Sequence, residues 1–150
     1  MKKKITILVS FILTLALFQL SAFEVVNLSC EKSDSPIAIS TTSPRLGWQI
    51  TSNKNGTRQT AYMIEMFEVI NGKEKVVWKS GKIKSDQSQN IKYSGSKELE
   101  PLKKYTWRVK VWNEKNKSSK WSNKSFFRVA PDNSFFNSSW IGHISREEAR

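Results

Sequence analysis

Residues 99–111 read Leu99-Glu100-Pro101-Leu102-Lys103-Lys104-Tyr105-Thr106-Trp107-Arg108-Val109-Lys110-Val111. From Tyr105 onward, large apolar side chains alternate with polar ones, which is the two-residue period of a strand with one buried face. Pro101 fixes its φ angle and cannot donate to a strand ladder, so the chain turns before the strand begins. A tyrosine at the head of such a strand can bond its hydroxyl to nearby backbone, as in the tyrosine corner of β-sandwiches. The segment therefore predicts an all-β, immunoglobulin-like or fibronectin type III-like sandwich.

Short strands separated by turn signals account for the chain up to Val129, and no helical period of useful length interrupts them. The pairs Asn55-Gly56 and Asn71-Gly72 mark loops, because both residue types accept a positive φ. The second pair predicts a tight hairpin between antiparallel neighbours. We expect seven strands, at 25–30, 45–50, 60–70, 75–79, 90–93, 105–112 and 125–129. The expected inward side chains are Leu46, Trp48, Ile50, Tyr62, Ile64, Met66, Tyr105, Trp107, Val109 and Val111.

The first 22 residues have the pattern of a secretory signal peptide. Lys2, Lys3 and Lys4 precede an apolar run of about 16 residues and a small-residue site at Ser21-Ala22. A spanning helix needs about 20 apolar residues, so cleavage near Ala22 is favoured over an uncleaved membrane anchor. Lipid attachment at Cys30 is disfavoured, because the apolar run ends too early for it. The protein is expected to be secreted, periplasmic or at the cell surface, without stable membrane insertion after cleavage.

Cys30 is the only cysteine of the chain, so no intrachain disulfide can form after export. Six tryptophans, eight phenylalanines and three tyrosines must hold the core by packing instead. We interpret Cys30 as a small buried apolar residue rather than a reactive thiol.

The mature chain is strongly basic. Three of the 25 lysine and arginine residues lie in the signal peptide, so 22 basic against 13 acidic residues leave a charge of +9. Nucleic acid is disfavoured as a partner, because the chain is exported and carries no recognition motif. An acidic polysaccharide or an acidic neighbouring domain fits secretion better, and a solvated lysine-rich surface is the simplest alternative.

Residue types exclude several kinds of active site. One histidine, His143, and one cysteine cannot supply a three- or four-ligand metal site, and there is no glycine-rich phosphate loop. No metal or cofactor is expected. Carboxylate pairs, as in glycosidases, are left as the one catalytic route. The candidates are Glu65, Glu68, Glu98, Glu100, Glu147 and Glu148. Each is expected to be solvated on an outward strand position, in a turn or in the tail, so no catalytic residue is predicted.

An exposed patch of aromatic and basic side chains is the other functional signal. Trp112 falls on the same outward strand face as Arg108 and Lys110. The segment that follows adds further lysines and a tryptophan, which could grip an acidic glycan through stacking and charge. The alternative is that Trp112 and Trp121 pack on each other or against a further domain. The predicted contact residues are Arg108, Lys110, Trp112, Lys117, Lys120, Trp121 and Lys124.

Eight ordered motifs over about residues 25–142 resemble the N-terminal segment of bacterial α-L-rhamnosidases of glycoside hydrolase family 78. They are Asn27-Leu28-x-Cys30-Glu31, Pro44-Arg45-Leu46-x-Trp48, Gln59-Thr60-Ala61-Tyr62-x-Ile64, Trp78-x-Ser80-Gly81-Lys82-x-x-Ser85, Tyr93-x-Gly95, Tyr105-x-Trp107-x-Val109-x-Val111-Trp112, Trp121-Ser122 and Trp140-Ile141-Gly142. Each motif is weak alone, but their common order is specific.

The resemblance implies a non-catalytic sandwich that precedes further β-domains and a helical (α/α)₆ barrel. The barrel would carry an acid and a base glutamate for inverting hydrolysis of terminal α-L-rhamnose, and neither corresponds to a residue of this chain. We therefore expect a signal peptide at 1–22, a sandwich at 23–130 and, at 131–150, a linker and the truncated start of a following domain. The alternative is a self-standing carbohydrate-binding or adhesive module. The expected partners are the following domains of the same enzyme in the full-length protein, and plant or acidic polysaccharide.

Overall fold

The computed structural model describes residues 23–131, and its regular secondary structure is entirely β. The eight strands are β1 (Phe23–Cys30), β2 (Arg45–Ser52), β3 (Gln59–Ile70), β4 (Lys73–Lys79), β5 (Ile83–Lys84), β6 (Ile91–Lys92), β7 (Lys104–Asn113) and β8 (Ser125–Arg128). Within this part of the chain no helix is long and apolar enough to cross a membrane. The predicted signal peptide and all but the first residue of the predicted linker segment lie outside the described residues and stay predictions.

Two antiparallel sheets form the sandwich. One has the order β1-β2-β6, and the other has the order β4-β3-β7-β8 with β5 pairing to β3. The longest pairing joins β3 to β7, from Gln59 opposite Asn113 to Glu68 opposite Tyr105. The all-β sandwich predicted from the sequence is confirmed, and each of the seven expected strands is present with bounds that shift by at most two residues.

The eighth strand, β5, was not predicted. It has two residues, and it continues the edge that β4 begins along β3. Ser80 bridges the two pieces, because its N–H donates to the Ile64 carbonyl at 3.0 Å and its Oγ accepts from the Ile64 N–H at 2.9 Å. Gly81 follows with a φ of 67°, which turns the chain and interrupts the ladder. Two exposed residues carry too little pattern for a strand to be read from the sequence.

The hairpin between β3 and β4 follows the sequence prediction. Asn71 and Gly72 have φ angles of 49° and 76°. Both central residues of a type I′ turn need a positive φ, and its twist matches that of the flanking strands. The two strands are antiparallel neighbours, with Ile70 opposite Lys73.

The core lies between the sheets and combines aromatic with aliphatic side chains. Every inward side chain expected on β7 is at most 2% exposed, and the expected inward side chains of β3 are also buried. Three aromatic pairs pack in the interior with ring centroids 5.1–5.6 Å apart. At these distances, edge-to-face and offset-stacked rings attract each other. The pairs are Trp48–Tyr62, Trp78–Tyr93 and Tyr105–Phe127.

A buried amide links the two sheets. Trp48 on β2 donates its indole N–H to Gln59 Oε1 on β3 at 2.9 Å. The Gln59 amide nitrogen donates in turn to the carbonyls of Ser85 and Gln87 at 3.1 and 2.8 Å. Gln59 is 4% exposed. These three bonds satisfy its amide oxygen and both N–H groups of its amide nitrogen inside the core.

Cys30 occupies the core as the sequence indicated. It is fully buried and free. Burial, with a smaller contribution from the charge of Glu31, raises the pKa of its thiol to about 12. The thiol is therefore protonated at neutral pH and inert, since only the thiolate is a strong nucleophile.

The tyrosine corner is present. The Tyr105 hydroxyl accepts a hydrogen bond from the Glu100 N–H at 2.9 Å, and the Tyr105 ring stacks on Phe127 at 5.6 Å. The bond closes the turn around Pro101 onto the start of β7. The segment that predicted the fold therefore also fixes the entry of the central strand.

Replacing Tyr105 with phenylalanine is expected to lower the free energy of unfolding by about 1–2 kcal/mol, because the Glu100 N–H loses its partner while the ring keeps its packing. Urea unfolding followed by tryptophan fluorescence measures the change. Tyr62→Phe is the matched control, because Tyr62 is buried and its hydroxyl has no hydrogen bond within residues 23–131. Equal losses for the two variants would contradict the corner's role.

Candidate functional site

The seven predicted contact residues do not form one patch. Four of them, Arg108, Lys110, Trp121 and Lys124, lie in one row on the outer face of the β4-β3-β7-β8 sheet. Trp112 lies beside a different cation, and the remaining two, Lys117 and Lys120, line a cleft formed by loops and the start of β1.

The row alternates cations with aromatic rings, and we call it the cation–aromatic ladder. Its members, in spatial order, are Lys124, Phe67, Arg108, Trp121 and Lys110. Successive cations and ring centroids are 4.5, 5.5, 4.6 and 4.8 Å apart. All four distances lie inside the roughly 6 Å limit for attraction between a cation and a ring face.

Two serines place Trp121 over β7. The Ser119 and Ser122 N–H groups donate to the carbonyls of Val111 and Val109 at 2.8 and 2.9 Å. In return, the hydroxyls of these two serines accept from the Val111 and Val109 N–H groups, both at 3.1 Å. Side-chain oxygens thus take the place of the carbonyls of a regular neighbouring strand, and the backbone groups of β7 stay paired. Trp121, between the two serines, is fixed against the sheet.

Glu65 anchors the centre of the ladder, and the expectation that its side chain is solvated is wrong. It is 9% exposed, and it accepts two hydrogen bonds from Arg108, at 3.0 Å from Nε and 2.6 Å from Nη2. Lys79 Nζ lies 3.5 Å from its other oxygen. Glu65 stands directly opposite both residues in the sheet, because β3 lies between β4 and β7. Cross-strand pairs of opposite charge stabilise a sheet.

The remaining carboxylate candidates are distributed over turns and strand ends. Glu98 is exposed, as expected. Glu68 and Glu100 are partly buried, and both bind Lys103, each at 2.7 Å. Glu147 and Glu148 lie outside the described residues.

A second carboxylate, Glu74, binds the end of the ladder. It pairs with Lys124 and accepts a hydrogen bond from the Thr106 hydroxyl at 2.9 Å. The Lys124 and Thr106 hydrogen bonds hold the pKa of Glu74 below its ordinary value. For Glu65, burial alone raises the pKa, but the Arg108 and Lys79 hydrogen bonds outweigh it and the pKa is also lowered. Both groups are ionised at neutral pH, whereas a general acid needs a raised pKa.

Different cationic side chains lie over the Trp112 and Trp121 rings. The Lys82 ammonium lies 4.5 Å from the Trp112 ring centroid and also donates to Asn116 Oδ1 at 2.8 Å. Trp121 is covered by Arg108 and Lys110. Within residues 23–131 the two indoles do not form a ring pair with each other, which was one of the arrangements considered from the sequence.

Lys117 and Lys120 belong to a cleft of about 510 Å³. Its other charged lining residues are Glu24, Lys54, Glu114 and Lys115. Four lysines against two carboxylates give this cleft a positive potential, as the sequence charge indicated for the surface as a whole.

The side chains that organise the outer face were missed from the sequence. Phe67, Glu74 and Lys82 are each separated from their partners by at least 30 positions, so no local pattern connects them. The register of β3 against β7 is the signal that could have found Glu65, because it sets Glu65 opposite Arg108.

The two antiparallel sheets and the tyrosine corner define an immunoglobulin-like β-sandwich. Residues 25–132 match the family model described as "Rha78A-like, N-terminal immunoglobulin domain". This match covers more than half of the chain, so the chain belongs to that family.

Curated relatives carry the same segment inside much longer proteins. An α-L-rhamnosidase of Formosa agariphila is 37% identical over 98 residues, which are 63% of this chain and 10% of the relative. An α-L-rhamnosidase of Streptomyces avermitilis is 34% identical over 111 residues, which are 73% of this chain and 11% of the relative. The chain thus spans about a tenth of the length of these relatives.

Solved structures support the same relationship. The crystal structure of the Streptomyces avermitilis α-L-rhamnosidase complexed with L-rhamnose matches with a TM-score of 0.73 and 32% identity, over 81% of this chain and 12% of that one. The α-L-rhamnosidase from Dictyoglumus thermophilum matches with a TM-score of 0.68 and 29% identity, over 77% of this chain and 13% of that one. The resemblance to the N-terminal segment of α-L-rhamnosidases is confirmed.

Replacing Glu65 with glutamine is expected to lower the free energy of unfolding at pH 7 by about 1–3 kcal/mol, because Arg108 loses its charged partner in a nearly buried site. The folded-state pKa of Glu65 is lowered, so its contribution is full above the unfolded value of about 4.3 and is lost as the pH falls through the folded value. The difference between wild type and variant should therefore shrink below about pH 4.

Urea unfolding at pH 7 and at successive values down to pH 3 measures this difference. Glu98→Gln is the control, because Glu98 is exposed and its removal should cost little at any pH. A wild-type to Glu65→Gln difference that stays constant with pH would contradict the assigned ion pair.

Proposed function

We propose that this chain is the non-catalytic N-terminal accessory domain of a secreted α-L-rhamnosidase, an enzyme that removes terminal α-L-rhamnose from glycans. Its membership in the family of N-terminal immunoglobulin domains carries the proposal. Its partners are the following domains of the same enzyme, and its role is to dock and space them. The lysine-rich start, the apolar run and the Ser21-Ala22 site support export.

The chemistry of the outer face supports a structural role. Inverting glycoside hydrolysis needs one carboxylic acid that is protonated and one carboxylate that is free to activate water. Glu65 and Glu74 are both ionised and both held by basic side chains. Arg108 and Lys124 are in turn engaged by these carboxylates and by the rings of Phe67 and Trp121. The charges of the ladder are therefore used to hold the sheet together.

The purified 150-residue chain is expected to release no rhamnose from an aryl α-L-rhamnoside, measured by the colour of the liberated phenol. The Streptomyces avermitilis α-L-rhamnosidase, assayed in parallel, is the positive control. Hydrolysis by the chain above the buffer rate, reduced to that rate by Glu65→Gln or Glu74→Gln, would overturn the non-catalytic assignment.

The accessory role has its own test. Residues 23–131 replace the matching segment of the Streptomyces avermitilis enzyme, and the chimera is compared with a variant that lacks the segment. The chimera should keep the parent's activity and a melting temperature above that of the deletion variant. A chimera no better than the deletion would count against docking to the following domains.

A self-standing carbohydrate-binding module is the second candidate, and the basic cleft favours it. Lys54, Lys115, Lys117 and Lys120 line one concave surface. Trp112 offers a half-buried ring on the adjoining end of β7. Aromatic rings can stack on sugar faces while lysines attract acidic groups.

This candidate predicts that the chain is retained on immobilised acidic polysaccharide. Trp112→Ala should raise the dissociation constant at least about threefold, a loss of about 0.7 kcal/mol in binding free energy. Phe126→Ala is the matched control, because Phe126 is an exposed ring that lies beside Lys104. Retention that falls with salt and is the same in wild type and Trp112→Ala indicates charge alone, and it would remove the binding-module candidate.

A further inference from the structure

We propose that removal of the signal peptide completes a binding site for acidic polysaccharide in the basic cleft, because the new α-ammonium group of Phe23 becomes one of its cations. The inference rests on the export and on the second candidate function proposed above. It adds the group that controls the affinity of that site.

The lysines of the basic cleft are not neutralised by neighbouring carboxylates. Within residues 23–131, none of them forms a salt bridge, whereas Arg108 and Lys124 on the outer sheet face are both paired. Their positive charge therefore stays available to an external anion. The four lysines are Lys54, Lys115, Lys117 and Lys120.

Two carboxylates, Glu24 and Glu114, also line the cleft. The backbone N–H groups of Glu114 itself and of Arg58 hold the pKa of the Glu114 carboxyl below its ordinary value. Glu114 is therefore ionised at neutral pH, but it binds backbone rather than a lysine of the cleft. Four lysines against two carboxylates leave the cleft with a formal charge of +2.

The loops that carry the lysines are held by hydrogen bonds. Asn113 Oδ1 accepts from the N–H groups of Lys115 and Lys117 at 3.1 and 3.0 Å. In the other loop, the Thr57 hydroxyl donates to the Lys54 carbonyl at 2.9 Å. The loop backbone is thus fixed before a ligand arrives, which reduces the ordering cost of binding.

Phe23 brings the start of β1 to the same cleft. It lines the cleft together with Ser52, and the two residues are partners in the β1–β2 ladder. The partly buried ring of Phe23 also packs against the core. Ladder and ring together hold this residue in the wall of the cleft.

Cleavage after Ala22 changes the charge on the Phe23 nitrogen. Hydrolysis of the Ala22–Phe23 amide consumes one water molecule, leaves a carboxylate on the released Ala22 and frees an amine on Phe23. That amine is protonated at neutral pH, since the ordinary pKa of an α-amino group is about 7.7–8.0. The formal charge of the cleft thus rises from +2 to +3 on processing.

The α-ammonium group makes the affinity depend on pH. Its charged neighbours in the cleft are the four lysines, Glu24 and Glu114, and no histidine lines the cleft. The net positive surroundings lower the pKa of the α-amino group, whereas a bound polyanion raises it. The affinity is therefore highest below the pKa in the free cleft, falls as the pH rises through it, and levels off above the pKa in the complex.

The exported chain is the material for the test. The 150-residue precursor is secreted from a bacterial host, and mass spectrometry identifies the first residue of the product, which should be Phe23. Part of the product is acetylated at the α-amino group alone, as confirmed by peptide mapping. Calorimetry then measures the binding of both forms to polygalacturonate at about pH 6.5 and about pH 9, on either side of the ordinary α-amino pKa.

The free-amine form should bind at least about threefold more tightly than the acetylated form at the lower pH, and this difference should vanish at the higher pH. His143 is present in both forms, so the difference isolates the α-amino group. Lys117→Gln should weaken both forms more than Lys84→Gln, because Lys84 is an exposed lysine of β5 outside the cleft.

Equal binding of the two forms at the lower pH would overturn this inference and leave the binding-module candidate standing. So would a first residue other than Phe23, or a difference that persists at the higher pH. Equal effects of Lys117→Gln and Lys84→Gln would move the polyanion away from the cleft and overturn the site. No binding by either form would overturn the binding-module candidate as well, without affecting the accessory-domain proposal.

Discussion

The antiparallel pairing of β3 with β7 is the constraint on which the rest of the structure depends. It runs for most of the length of both strands and fixes which side chains face each other on both surfaces of the sheet. On the inner surface it brings Ile64 and Met66 beside Val109 and Trp107 in the core. On the outer surface it sets Glu65 opposite Arg108. A slip of one residue would exchange the two surfaces, so core and ladder stabilise the same register.

Because no disulfide holds the two sheets together, both surfaces of the β3–β7 pairing must contribute to stability. Cys30 is the only cysteine of the chain and is buried, so no intrachain disulfide can form and the domain must find its stability in packing and polar pairing. The interior supplies aromatic pairs and the Gln59 amide that links the sheets. On the outer face, Arg108 pairs with Glu65 and Lys124 pairs with Glu74. All four side chains are partly shielded from water. Such partly buried pairs resist salt better than exposed ones.

Features set by local sequence were predicted well. The alternation after Tyr105 gave the buried face of β7, and Asn71-Gly72 gave the hairpin, because side-chain period and positive φ are properties of neighbouring residues. The candidate site was predicted less well. The seven residues chosen for it are divided among the ladder, the ring under Lys82 and the basic cleft. Their partners lie on other strands, and a single sequence does not show which strands are neighbours.

The sequence by itself determined the all-β fold, the family resemblance and the inward faces of β2, β3 and β7, since these rest on periods, turn residues and ordered motifs. Only the tertiary structure decided that Glu65 is an anchor rather than a solvated carboxylate, and that the turn at Leu102 is bonded to the Val129 carbonyl. The physical reason is the same in both cases. Ion pairing, burial and strain depend on contacts between residues that are distant in sequence, and those contacts exist only once the strands have paired.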